Sequence, residues 1–188
     1  QPSIADFLET YRQISQEAEA VVSIHVPAAM TGTYSTARTA WDMVGADKPV
    51  AIIDCGSAAM GEGFVVLAAA RAAAAGQSLE QVVAAAQEVM AKTYFFAALD
   101  TLDYLRRGGR VAGVVALVGK ALRIKPVFYL KDGHVGLLTQ RRSRRQTIEY
   151  MIEAMAERVG AGPVHAAVFH GAVPEEAAAL QRAILSRF

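Results

Sequence analysis

The chain has 188 residues, of which 53% are hydrophobic and 20% charged, with a net charge of +1. That length and apolar content support a sizeable core, and the near-zero charge gives no global electrostatic case for nucleic acid. The single Cys55 excludes an internal disulfide framework and fits a reducing compartment, and no stretch reads as a signal peptide or membrane span.

In chain order, Pro2-Ser3 followed by Ile4-Ala5-Asp6-Phe7-Leu8 predicts a helix start, with Phe7, Leu8, Tyr11 and Ile14 at helical spacing. Val21 to Ile24 is a β-branched strand, and Thr31 to Val44 a helix with Tyr34, Ala37, Trp41 and Val44 on one face. Pro49 to Asp54 is a second apolar strand, of the kind buried in a parallel sheet. Gly61 to Ala75 is an Ala-rich helix, and Ser78 caps another with Glu80, Gln81 and Val82 in its first turn. This alternation predicts an α/β layer with right-handed crossovers.

The texture changes near Met90, which places a domain boundary at residues 89–92. Thr93 to Leu99 predicts an aromatic strand, Asp100 to Arg107 a short helix stopped by Gly108-Gly109, and Val111 to Leu122 a further apolar helix. Lys125 to Leu130 and Val135 to Thr139 predict strands around a Lys131-Asp132-Gly133-His134 hairpin. Thr147 to Val159 predicts a helix, Pro163 to Phe169 a strand, and Pro174 to Ser186 a final helix. The expected architecture is therefore two domains, a Rossmann-like parallel α/β layer over residues 1–90 and an α+β domain over 91–188.

The chemically informative stretch runs from Ser23 to Ala37. A buried strand gives way to a Pro/Ala loop, and Thr31-Gly32-Thr33 opens a helix. Such a junction brings backbone N–H groups, two hydroxyls and the positive end of a helix dipole together, which suits an anion. An ordinary N-cap has the same local signature. His25, His134, His165 and His170 lack zinc-like spacing, so no metal is expected. Cys55 follows a strand within Asp54-Cys55-Gly56-Ser57 without a nearby base, and Gly61-Glu62-Gly63 lacks dinucleotide or P-loop spacing. Arg141, Arg142, Arg144 and Arg145 form a basic run that reads as a solvated face, as a surface for acidic partners or anionic lipid, or as a source of one inward arginine.

Several motifs in fixed order resemble the DegV family of bacterial fatty-acid-binding proteins. Gln1-Pro2-Ser3 resembles the end of a Thr-Ser-Gln-Pro-Ser motif, and Met30-Thr31-Gly32-Thr33-Tyr34-Ser35-Thr36-Ala37 resembles Leu-Ser-Gly-Thr-Tyr-Gln-Ser-Ala. Ile52-Ile53-Asp54-Cys55 with Met60-Gly61-Glu62-Gly63 follows. The most specific match is Thr101-Leu102-Asp103-Tyr104-Leu105-Arg106-Arg107-Gly108-Gly109-Arg110. Leu122-Arg123-Ile124-Lys125-Pro126, the Asp132-Gly133 hairpin and Arg142-Ser143-Arg144-Arg145 complete the order.

The resemblance implies a cytoplasmic protein that binds one long-chain fatty acid between two domains. It further implies presentation of the carboxylate to a separate fatty acid kinase, which makes an acyl phosphate for phospholipid synthesis. No cofactor and no catalysis by the chain itself are implied. Thr31 stands where the family carries a carboxylate-binding Ser, with Gly32 and Thr33 beside it, and Arg142 matches an arginine near the head group. Met60, Phe96 and Ile124 are candidates to line the acyl tunnel. The basic run would favour a kinase or membrane surface. The Thr-Ser before Gln1 and a C-terminal Gly-x-His-x-Gly-Pro-Gly segment are absent, so the chain is expected to lack both ends of the family pattern. Two other readings of the residues are an enzyme acting on a small phosphorylated or carboxylated substrate at the Thr31 turn, and an interaction module built on the arginines.

Overall fold

The computed structural model describes residues 1–45, 47–109, 124–160 and 162–188. Its elements are α1 (Ile4–Glu17), β1 (Val21–His25), α2 (Thr33–Val44), β2 (Val50–Asp54), α3 (Met60–Ala74), α4 (Leu79–Lys92), β3 (Phe95–Ala98), α5 (Asp103–Arg107), β4 (Lys125–Lys131), β5 (His134–Arg141), α6 (Arg144–Val159) and α7 (Pro174–Arg187). The expected helix over 111–122 lies outside the described residues. Two compact units result, Gln1–Phe95 with Tyr129–Val135, and Phe96–Phe128 with Gly136–Phe188.

In the first unit β1 and β2 pair in parallel, from Val21 opposite Val50 to His25 opposite Asp54. Successive strand side chains point to opposite faces. Val21, Val50 and Ile52 therefore pack with Tyr11, Ala37, Ala40 and Trp41 of α1 and α2. Val22, Ile24 and Ile53 pack with Val65, Ala69, Ala72, Val82 and Ala86 of α3 and α4. Helices cover both faces, which is why both strands are mostly apolar.

Local rules start the helices. Ser3 and Asp6 form a capping box on α1: the Asp6 amide donates to Ser3 Oγ at 3.2 Å and the Ser3 amide to Asp6 Oδ2 at 2.7 Å. Ser78 and Gln81 do the same for α4. Tyr11, only 2% exposed, meets Trp41 edge to face at 5.3 Å between ring centres. The alanines of α3 and α4 present little bulk, so the two helices approach closely.

The three-stranded sheet has the order β3-β4-β5. The β4–β5 connection is the predicted two-residue turn. Asp132 (φ 51°) and Gly133 (φ 75°) are both left-handed, as a type I′ hairpin requires. In the second unit, Asp100 accepts from Lys125 Nζ at 2.5 Å and pairs with Arg144 Nη1 at 2.8 Å. Arg144 Nε also reaches Glu176 of α7. Those bonds hold the Asp100 carboxyl below its ordinary pKa, chiefly through Lys125.

Two expectations are corrected. Pro163 to Phe169 joins neither sheet, although its composition is strand-like. A strand needs a ladder partner as well as propensity, and neither described sheet supplies one. The helix expected from Thr147 begins at Arg144, because Ser143 caps it by accepting from the Gln146 amide at 3.3 Å.

Close packing at the start of α3 yields a test. Ser57 is 6% exposed, and its Oγ has no hydrogen-bond partner among the described residues. A methyl added at Gly61 would overlap that oxygen and lie 3.1 Å from Ser57 Cβ. Gly61→Ala is expected to lower stability by about 1–3 kcal/mol despite alanine's better helix propensity. Ser57→Gly should recover most of that loss in the double variant, read by denaturant unfolding.

Candidate functional site

The site begins where β1 and β2 end together, at His25 and Asp54. The Cys55 amide donates to the His25 carbonyl at 2.9 Å and extends the ladder by one bond. Beyond His25 the chain turns tightly. The Pro27 carbonyl accepts from the Met30 amide at 2.9 Å and the Thr31 amide at 3.2 Å. The Asp54 carboxylate fastens this turn from below, with Oδ2 accepting from the Ala28 amide at 3.0 Å and Oδ1 from the Gly56 amide at 3.1 Å. The β4–β5 turn closes the other side, where the Gly133 amide donates to the Gly56 carbonyl at 2.9 Å. Gly56 is left-handed (φ 63°), and a Cβ there would stand 3.0 Å from Asp132 Cα.

Thr31, Gly32 and Thr33 meet at the start of α2. Gly32 is the N-cap residue and no side chain caps the helix, so Thr31 is not the ordinary N-cap its sequence allows. Its hydroxyl instead faces that of Thr33 at 2.9 Å, and the Thr33 amide lies 3.4 Å from Thr31 Oγ1. One hydroxyl proton serves the pair, which leaves the other for an incoming acceptor. The positive helix end lies at the same point. The Thr31 amide is already committed to Pro27, so its contribution to an anion would be the hydroxyl. Gln1 Nε2 sits over Gly32, 2.8 Å from where a Cβ would be, and reaches Thr36 Oγ1 at 3.4 Å.

Behind this turn runs a polar chain. Tyr11 Oη and Ser23 Oγ are 2.7 Å apart, and Ser23 Oγ lies 2.7 Å from His25 Nε2. Phe7 packs edge-on against the His25 ring at 5.5 Å. Burial pushes the His25 pKa down and the Glu62 pKa up. Cys55 is 3% exposed and bonds the Ser57 carbonyl at 3.0 Å, and burial raises its pKa to about 11. A thiol held protonated at neutral pH is a poor nucleophile. Among the described residues, no His, Cys, Asp and Glu side chains gather into a metal-holding group. Also among them, no helix is long and apolar enough to cross a membrane.

The other predicted residues fall in different places. Met60, 37% exposed, opens α3 in the same unit as the Thr31 turn. Phe96, Ile124 and Arg142 belong to the second unit. Phe96 lies under the Arg158 guanidinium at 5.4 Å, and Ile124 is half-buried just before β4. Within the basic run, Arg144 is held by Asp100 and Glu176, Arg145 pairs with Glu149 at 2.7 Å, and Arg141 stacks over Tyr150 at 4.7 Å. Arg142 is exposed and has no ion pair among the described residues. Sequence reasoning passed over the roles of Asp54, Gln1 and the Tyr11–Ser23–His25 chain. The available signal was the polar residues Ser23, His25 and Asp54 set into two otherwise apolar strands.

His25 gives a pH test with a defined sign. Its folded pKa lies below the ordinary 6.5, so the unfolded chain takes up the proton first on acidification. Stability is therefore expected to be unaffected above that value and to fall as pH drops from 6.5 toward the lower folded pKa. Unfolding midpoints measured between pH 8 and 5 should show this slope in the native chain and a flatter one in His25→Gln.

A family model described as an uncharacterised protein of the DegV family matches residues 1–188. A DegV domain-containing protein of Streptomyces coelicolor is 42% identical over 175 residues, covering 93% of this chain and 62% of that protein. A solved Thermus thermophilus DegV family protein, described by its fatty acid binding, is 33% identical with a TM-score of 0.77, covering 86% of this chain and 57% of that one. The structure of DegV from Bacillus subtilis, described as a fatty acid binding protein, is 29% identical with a TM-score of 0.88, covering all of this chain and 67% of that one. The chain thus spans 62% of the length of the Streptomyces relative.

Proposed function

Because this chain belongs to the DegV family, we propose that it binds a long-chain fatty acid, with the carboxylate on the Thr31–Gly32–Thr33 turn, and presents that carboxylate to a separate fatty acid kinase. The observation that carries the reading is the Thr31–Thr33 hydroxyl pair at a helix start that no side chain caps. The fatty acid binding described for the Thermus and Bacillus proteins supports the ligand class.

The energetics divide the work between tail and head. Burying each methylene contributes about 0.8 kcal/mol, so the tail supplies most of the affinity. A bare carboxylate taken out of water costs several kcal/mol. Hydroxyl donors and a helix dipole offset that cost. Hydrogen bonds to the charged form keep the carboxylate ionised, and its oxygen is the nucleophile in phosphoryl transfer. Gly32, lacking a Cβ, makes room over the turn that Gln1 Nε2 fills, so a head group that reaches the backbone there displaces that side chain. Met60, Phe96 and Ile124 are the proposed tail contacts, and Arg142 the proposed cationic group near the head group. A kinase or membrane contact through the basic run would fall mainly to Arg142 and the outward-facing Arg145, in a protein working in the cytoplasm.

Mass spectrometry of an organic extract of the purified full-length protein is expected to show a stoichiometric fatty acid. Thr31→Val removes the hydroxyl at nearly constant size and should weaken fatty acid binding about 10- to 100-fold, the worth of a hydrogen bond to a charged group. Unchanged affinity would remove Thr31 from the head-group site.

A further inference from the structure

We infer that Asp54 is a positioning residue that gives the Thr31 turn its selectivity for a carboxylate end group, an inference that rests on the fatty acid reading. Asp54 closes β2, directly opposite His25, and its two oxygens go to two different loops. One takes the Ala28 amide and the other the Gly56 amide, at 3.0 and 3.1 Å. Ala28 lies inside the turn in which the Pro27 carbonyl receives the Met30 and Thr31 amides. Holding Ala28 therefore sets where Thr31 leaves the turn, and with it where the Thr31–Thr33 hydroxyl pair stands.

The other half of the clasp is equally tight. Gly56 donates to Asp54 through its amide and accepts from Gly133 through its carbonyl. A Cβ on Gly133 would lie 3.4 Å from Pro27 Cβ, so the hairpin turn backs the same proline. Pro27 is fully buried in this enclosure. Only a group with two acceptor oxygens satisfies both amides. Asn offers one acceptor, and its NH₂ would confront an N–H. Asp54 need not touch the ligand, because it acts through the backbone of residues 27–31.

The test uses cis-parinaric acid as a fluorescent fatty acid, displaced by oleic acid or oleyl alcohol, on full-length protein. Asp54→Asn is expected to weaken oleic acid about tenfold and leave oleyl alcohol within about twofold, since a neutral alcohol gains far less than a carboxylate from the hydroxyl pair and the helix end. Combined with Thr31→Val, Asp54→Asn should add little further loss, because both act on one contact. Equal loss for acid and alcohol, or losses that add fully, would overturn the assignment. If Asp54→Asn does not fold, Ala28→Pro decides: it removes the amide donor and turns a ring carbon toward Asp54, at an exposed turn position whose φ suits proline, and the same acid-selective loss is expected. Failure of the native protein to bind cis-parinaric acid at all would instead strike the fatty acid reading on which the assignment stands.

Discussion

Two short parallel strands ending level with each other are the constraint from which the first unit is built. The pairing of His25 with Asp54 puts two loop exits side by side. Helices fill both faces of the strands, so the strand ends are where irregular backbone can meet ligand or solvent. Each exit carries polar backbone that must be satisfied. The Pro27 carbonyl, the Asp54 carboxylate and the Asp132-Gly133 turn divide that task. What remains unclaimed at the start of α2 is a hydroxyl proton and a helix dipole, the chemistry an acid end group needs.

Most of the first unit was legible because its signals are local. Ser3 with Asp6, and Ser78 with Gln81, announce their helices through a motif that spans one turn. The two strands announce themselves by apolar runs, and Asp132-Gly133 by the two left-handed residues its turn demands. Other features needed geometry that composition does not carry. Pro163 to Phe169 has strand composition, yet neither sheet pairs with it. Thr31 has the identity of a cap, yet Gly32 takes that position and the threonine bonds sideways to Thr33. The bonds of Asp54 join residues 26 positions apart on one side and two on the other, and only the closed fold brings them together.

The arginine run illustrates how sequence charge and available charge differ. Four arginines within five residues read as one basic face, but the helix that starts at Arg144 distributes them. Arg144 points to Asp100 and Glu176, Arg145 follows the helix to Glu149 one turn on, and Arg141 lies over the Tyr150 ring. The Arg144 ion pairs tie the segment after β3 to α6 and α7, and that charge is poorly available to a partner. Arg142 is exposed and has no ion pair among the described residues, and it is the arginine proposed to lie near the head group.

Cys55 carries a practical consequence. It is the chain's single cysteine, buried under the Ser57 carbonyl with its proton held to about pH 11. The thiolate is the form that attacks alkylating reagents, and at neutral pH this sulfur offers almost none. A second cysteine placed on an exposed helix face would therefore be labelled selectively within this chain. Spectroscopic probes of each unit can be installed without first removing a native thiol from the loop that frames the site.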